Sequence, residues 1–83
     1  MKAKILSFKE GLKTYEDVDM VRVVSEDYNL LIMKDYMPVL GEIRGRVDVI
    51  SGERCDSFED VEGFFIHSAN EFELLITEDE YVG

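Results

Sequence analysis

Short segments in which apolar and polar residues alternate recur along the chain, and they limit its fold more than any other feature. Val21 and Val23 fall on one side of one such segment, and Phe72, Leu74 and Ile76 fall on one side of another. Because successive side chains of a β-strand point to opposite faces, this period of two predicts strands buried on one side. No stretch repeats its apolar residues every three or four positions over two helical turns, so the chain is predicted to be all-β.

Turn residues separate these segments at intervals of roughly 8 to 12 residues, a spacing typical of an antiparallel sandwich or barrel. We therefore predict a small antiparallel β-sandwich or flattened barrel of about eight or nine short strands. The expected strands are 2–8, 12–15, 18–25, 30–33, 42–44, 46–51, 55–61, 64–68 and 72–77. The segment 55–61 is expected to be weak and exposed, with Glu62 and Gly63 ending it, and the tail 78–83 is expected to fray.

The densest apolar stretch, residues 29–40, contains the only proline of the chain. Its apolar run at 30–33 is interrupted by Lys34 and Asp35 before apolar residues resume. Since proline lacks the backbone donor that a central strand needs, Pro38 marks a bend or a strand edge. We predict a short buried strand, a turn at Lys34 and Asp35, and an apolar segment that covers one end of the sheet core.

Length and charge narrow the class of protein. A chain of 83 residues is enough for one small domain, predicted to span 1–83. Nineteen acidic residues against nine basic ones give a net charge of −10. Such a surface repels phosphate backbones and anionic lipid, so no nucleic-acid or membrane-surface role is expected, whereas a basic partner would be complementary. The alternative is that the acidity only keeps a small β protein from self-association.

The termini and the cysteine content bear on location. The first residues lack the apolar core of a signal peptide, and no apolar run approaches the roughly 20 residues of a membrane span. We therefore expect a cytoplasmic protein with no direct membrane insertion. The single cysteine, Cys55, excludes an intrachain disulfide and a multi-thiolate metal site. It is expected to be a small apolar packing residue in a reducing compartment.

Candidate catalytic and metal-binding residues are few. His67 is the only histidine, and Ser68 beside it would point to the opposite face of a strand, so the two cannot act as base and nucleophile. We expect His67 to be a strand-surface side chain. The acidic clusters at 16–19, 59–62 and 78–80 lack the spacing of a calcium loop and are interpreted as solvated charge. No catalytic residue, metal site or cofactor is predicted, and the chain is not expected to be an enzyme.

Aromatic and charged side chains on strands have other uses. Tyr28, Tyr36 and Phe65 are candidates for a contact patch, because monomers seldom leave several large apolar groups solvated together. Core filling is the competing assignment for each, and it is favoured for Phe65. A further set of charged residues is assigned to edge strands, where charges discourage edge-to-edge aggregation: Lys2, Lys4, Arg46, Asp48, Glu71 and Glu73.

The order of these features is similar to a known family. Strands and turns at 2–25 lead to a turn, an apolar strand and a proline-containing block at 27–40, and then to Gly63-Phe64 and a strand pair joined at Ala69-Asn70. This order resembles the N-terminal β-sandwich domain of the epsilon subunit of F-type ATP synthases, called delta in mitochondria, over nearly the whole chain. The family's C-terminal helical hairpin has no counterpart here.

In the proline-containing block the resemblance lies in the apolar pattern and in Pro38. Leu31 stands where the family has glycine, and Asp35 and Tyr36 stand where it has glycine and histidine. What the resemblance implies is a non-catalytic module of the central stalk, peripheral to the membrane through its complex. Its expected partners are a gamma-like stalk subunit and loops of the membrane rotor ring. Inhibition and ATP binding belong to the family's hairpin and are not implied.

The predicted partner-binding residues combine the end of this block with one of the candidate aromatics: Tyr28, Tyr36, Met37, Pro38, Val39 and Leu40. Leu30 and Ile32 are expected beneath them. Two other functions stay open. One is a stand-alone, small, acidic ligand- or metal-binding β domain of an unrelated complex that uses the acidic clusters. The other is a homo-oligomer formed through Tyr28, Tyr36 and Phe65.

Overall fold

Seven β-strands and no helix make up residues 1–77, the part of the chain described by the computed structural model. The strands are β1 (Lys2–Ser7), β2 (Gly11–Tyr15), β3 (Met20–Ser25), β4 (Asn29–Met33), β5 (Val39–Ser51), β6 (Arg54–Ser68) and β7 (Glu71–Ile76). They form one sheet in the order β2-β1-β7-β6-β5-β3-β4. The all-β sandwich expected from the alternating pattern is confirmed. Nothing in this part of the chain forms a helix long and apolar enough to cross a membrane.

Five strands lie within two residues of their expected bounds, but the remaining four predicted strands form only two long ones. β5 has 13 residues and β6 has 15. β6 continues through Glu62 and Gly63, which were predicted to end a strand, because both keep their pairing with β5. One strand pair, β1 with β7, is parallel, and all other neighbours are antiparallel. The tail 78–83, predicted to fray, lies outside the described residues.

A β-bulge bends the long hairpin of β5 and β6. Gly45 pairs with Val61 and Val47 pairs with Phe58, so β6 carries one more residue than β5 between these pairs. Within this step Asp60 has a φ of 57°, in the left-handed region that few non-glycine residues adopt. The extra residue shifts the alternation of β6, so that both Phe58 and Val61 reach the core. Bulges bend a strand and increase its twist, and here the bend divides the sheet into two layers.

The first layer contains β2, β1 and β7, together with the second half of β6 and the first half of β5. The second layer contains β3 and β4, together with the first half of β6 and the second half of β5. Lys13 lies 5.5 Å above the centroid of the Phe58 ring, across the gap between the layers. The Met1 amino group donates to the Val18 carbonyl at 3.1 Å, and the Val18 amide donates to the Met1 carbonyl at 2.9 Å. Both contacts hold the layers together.

The core between the layers is formed by aliphatic and phenylalanine side chains. Phe65 and Phe72 stack with their ring centroids 5.7 Å apart, so Phe65 fills the core and does not belong to a contact patch. The strand predicted to be buried at 30–33 is buried on one face only: in β4, Ile32 is fully buried, whereas Leu31 and Met33 point to the outer face and are exposed. The buried apolar residues are Ala3, Ile5, Val18, Val21, Val23, Ile32, Ile43, Val47, Val49, Val61, Phe65, Phe72 and Leu74.

Three polar predictions were wrong. His67 is fully buried and not on the strand surface, because it shares the inner face of β6 with Phe65. Asp48 is only 3% exposed, since Arg46 lies 3.2 Å from one carboxylate oxygen and Arg22 lies 3.4 Å from the other. Cys55 is exposed where packing was expected. The charged set assigned to sheet edges lies on β1, β5 and β7, whereas the edge strands are β2 and β4.

Candidate protein-binding surface

The predicted partner-binding residues lie where β4 passes into β5, and they differ in accessibility. Met37 and Leu40 are 67% and 72% exposed, and Pro38 is also exposed. Tyr36 and Val39 are half-buried and pack against the core. Of the apolar segment predicted to cover the core, only these two side chains do so. Met37, Pro38 and Leu40 are therefore the members of the predicted block that a partner could reach.

The turn before β5 is held in place by contacts with the hairpin of β6 and β7. The amide of Asp35 donates to the side-chain oxygen of Asn70 at 2.7 Å. The Tyr36 ring meets the His67 ring edge-on, at 75° and 6.3 Å between centroids. Tyr36 therefore covers the buried histidine and contributes to packing, which limits its use as a contact residue.

Tyr28 and Leu40 border one open concavity, but they lie on opposite sides of β5. Its hydroxyl donates to the carbonyl of Glu42, and burial raises its pKa above the ordinary value. Gly41 leaves room for this contact, because a Cβ there would lie 3.2 Å from the Tyr28 hydroxyl and 3.0 Å from the Phe65 ring, and both side chains would have to shift. Gly41 and Leu40 are adjacent strand residues and point to opposite faces. Tyr28 thus closes the inner side of β5, whereas Leu40 stands on the outer side.

A row of apolar side chains crosses the outer face of the first layer. Leu12 of β2 pairs with Leu6 of β1, Leu6 pairs with Leu75 of β7, and Leu75 pairs with Phe64 of β6. Because directly paired residues point to the same face, these four side chains stand next to one another. Each is 45 to 59% exposed.

The row continues to the predicted site. Ile66 lies two residues after Phe64 on the same face of β6, and it pairs with Leu40 of β5. We call these six side chains the apolar row: Leu6, Leu12, Leu40, Phe64, Ile66 and Leu75. They line a shallow concavity of about 480 Å³ together with Lys4 and Glu73. Monomers seldom leave several large apolar side chains exposed side by side in this way.

Five of the six members of the apolar row were not predicted as site residues, because they come from two hairpins, β1 with β2 and β6 with β7, that are distant in sequence. A signal was nevertheless present in the alternation. Leu6 follows Lys2 and Lys4 on the outer face of β1, and Leu75 follows Glu71 and Glu73 on the outer face of β7. In both strands a large apolar residue follows two charged residues on the same outer face, and this pattern indicates an exposed apolar side chain.

Charges beside the apolar row are unevenly paired. Lys4 lies 4.0 Å from Glu71, so its charge is partly balanced within the chain. Glu73, which pairs with Ile66, and Glu42, which pairs with Phe64, have no ion pair among residues 1–77. Two carboxylates therefore adjoin the apolar row: Glu42, and Glu73, which lies opposite Lys4 on β1.

The described residues contain little else that suggests chemistry. Neither ring nitrogen of His67 has a hydrogen-bond partner, and burial lowers the pKa of this side chain. Ser68, its neighbour, is exposed on the outer face. Residues 1–77 hold no group of three or more His, Cys, Asp or Glu side chains placed to bind a metal ion. The acidic cluster 78–80 lies outside this range.

Comparison with models of known protein families found no match, and comparison with curated proteins found none either.

Proposed function

We propose that this chain is a non-catalytic protein-binding module, similar in role to the central-stalk sandwich of a rotary ATP synthase and acting in the cytoplasm. The observation that supports the proposal is the apolar row, whose six large side chains are 45 to 72% exposed on one continuous sheet face. An exposed apolar surface of this extent is typical of protein–protein contact. The expected partners are a gamma-like stalk subunit or loops of a membrane rotor ring.

Leu40 connects this surface to the predicted site. It is the last residue of the proline-containing block and also the end of the apolar row on β5. Met37 and Pro38, exposed beside it in sequence, extend the surface toward the end of the sandwich. Contact through one face and one end of the sandwich is also what the resemblance to the epsilon domain implies.

Capture of partners from the native cell extract tests the proposal. The bait carries its tag at the C-terminus, because the Met1 amino group is hydrogen-bonded to Val18. Phe64→Ser, at the centre of the row, is compared with Leu31→Ser, a leucine that is 43% exposed on the outer face of edge strand β4. We expect rotary ATPase subunits in the wild-type and Leu31→Ser captures, and at least about a tenfold loss with Phe64→Ser.

The outcomes separate two parts of the proposal. Equal capture by Phe64→Ser and wild type contradicts the apolar row as the binding surface. If capture depends on Phe64 but the captured proteins include no rotary ATPase subunit, the stalk role is contradicted. The more general proposal of a protein-binding module then still stands.

A second variant tests the end of the sandwich. Met37 is 67% exposed and Tyr36 packs on His67, so Met37→Asp changes the surface while Tyr36→Asp would disturb the core. We expect Met37→Asp to keep the wild-type melting temperature and to weaken capture. Unchanged capture would restrict the contact to the sheet face.

A further inference from the structure

The direction of the apolar row limits the shape of its occupant. The row crosses five strands, from β2 to β5, and runs across the direction of the strands. Four strand spacings of about 4.8 Å give a length of roughly 19 Å. Backbone hydrogen-bonding groups lie in the plane of a sheet, so a partner on this face meets only side chains. An added β-strand uses a free sheet edge and does not fit this surface.

An α-helix fits these dimensions. At a rise of 1.5 Å per residue, about 13 helical residues cover roughly 19 Å. An amphipathic helix presents apolar side chains at positions i, i+3, i+4 and i+7, which form a stripe along its axis. The apolar row offers such a stripe a matching line of side chains in a shallow concavity. Phe64 and Leu75 are 50% and 45% exposed there, so a helix can reach both.

The charges beside the apolar row indicate the sign of the flanks of such a helix. Glu42 and Glu73 adjoin Phe64 and Ile66 without an ion pair in the described residues. Lys4 is the neighbour of Glu73 on β1, but its amine lies 4.0 Å from Glu71. The whole chain carries a net charge of −10. A second copy would bring the same negative charge to the interface, and Coulomb repulsion opposes that association. Lysine or arginine flanks are complementary.

We propose that the apolar row binds a basic amphipathic helix of about 13 residues on a partner protein. Apolar side chains of the helix contact Leu6, Leu75 and Phe64, and its basic flanks pair with Glu42 and Glu73. This inference rests on the proposed function and specifies the class of partner.

The test uses three synthetic peptides of about 14 residues and the ¹⁵N-labelled full chain. The first is a leucine–lysine amphipathic helix, the second is the same composition in scrambled order, and the third replaces lysine with glutamate. We expect the first peptide to bind, to become helical by circular dichroism, and to shift amide resonances around Leu6, Phe64 and Leu75. The scrambled peptide should bind at least about tenfold more weakly, and the acidic peptide should not bind measurably.

Variants of the chain locate the site. Phe64→Ser and Leu75→Ser should each weaken binding of the basic amphipathic peptide at least about tenfold, and Leu31→Ser should change it less than twofold. The double variant Glu42→Gln and Glu73→Gln should weaken binding and reduce its dependence on salt. Thermal melts of each variant establish that the fold is retained.

Three results would overturn the inference. The scrambled peptide could bind as tightly as the amphipathic one, or the shifted resonances could lie away from the apolar row. The chain could also be a dimer by light scattering that Phe64→Ser dissociates, with a second copy as the occupant. If the peptides do not bind but capture of partners from extract still depends on Phe64, only the helical nature of the partner is rejected. If the basic amphipathic peptide binds but no rotary ATPase subunit is captured from the extract, only the stalk role is rejected.

Discussion

His67 is buried in the core, and neither of its ring nitrogens has a hydrogen-bond partner within residues 1–77, which makes stability depend on pH. The Tyr36 ring covers it, and Val39 and Phe72 flank it on the neighbouring strands. Burial disfavours the charged imidazolium, so the pKa of His67 in the folded chain lies below the ordinary value of 6.5. Between the folded and unfolded pKa values the unfolded chain binds more protons. The stabilising contribution is complete above about pH 6.5 and is lost as the pH falls.

We therefore predict that the free energy of unfolding decreases between about pH 7.5 and about pH 5.5, where carboxylates stay ionised. His67→Leu removes both unpaired nitrogens at similar volume and should abolish this decrease. Urea unfolding of both proteins at the two pH values measures the effect. The same decrease in His67→Leu as in the wild type would assign it to another group.

Asp48 is a second buried polar residue, and its partners surround it. It accepts a hydrogen bond from Ser57 at 2.8 Å, and Arg22 and Arg46 contact its two oxygens. Asp48→Ala leaves these partners unpaired, and we predict a cost of about 1–3 kcal/mol in the free energy of unfolding. Asp48→Asn keeps the acceptor for Ser57 and should cost less. Denaturant unfolding compares both with Asp27→Ala at an exposed position, where a similar loss would contradict the prediction.

Among the strands, β6 depends on close approach of its neighbour β7. A Cβ at Gly63 would lie 1.9 Å from the carbonyl oxygen of Leu75, which belongs to the backbone of β7. Since Phe64 pairs with Leu75, the two strands cannot separate there without losing their ladder. We predict that Gly63→Ala costs more than about 3 kcal/mol in stability.

Gly52→Ala is the matched control for this substitution. Gly52 lies in the turn between β5 and β6 with a φ of 60°, and a Cβ there would meet no atom within 4 Å. It should cost only about 1 kcal/mol, the strain of a left-handed backbone on alanine. Chemical denaturation of the two variants separates collision from backbone strain. Equal costs would show that collision with β7 is not what requires glycine at position 63.

For the whole molecule the net charge of −10 dominates the electrostatics. Raising NaCl from about 10 mM to about 100 mM shortens the Debye length from about 30 Å to about 10 Å. The molecule is 40 Å long, so repulsion across it is then screened, whereas exposed ion pairs contribute little to stability. We predict that the melting temperature rises by a few degrees.

A CaCl₂ solution of matched ionic strength is the control, and it should give a similar melting temperature. A larger rise with calcium would indicate a specific cation site and favour the acidic ligand-binding alternative. No rise with NaCl would show that self-repulsion does not limit stability.

The alternating pattern by itself determined the class of the fold and most strand positions, because a period of two is a local property of the backbone. The turn at Lys34 and Asp35 was likewise predicted from residues next to each other in sequence. Only the tertiary structure decided which face each half of β6 presents, because the bulge at Asp60 shifts the alternation. The same holds for the parallel pairing of β1 with β7 and for the burial of His67. The apolar row is assembled from strands far apart in sequence, and register between distant strands is set by packing of the whole sheet and not by neighbouring residues.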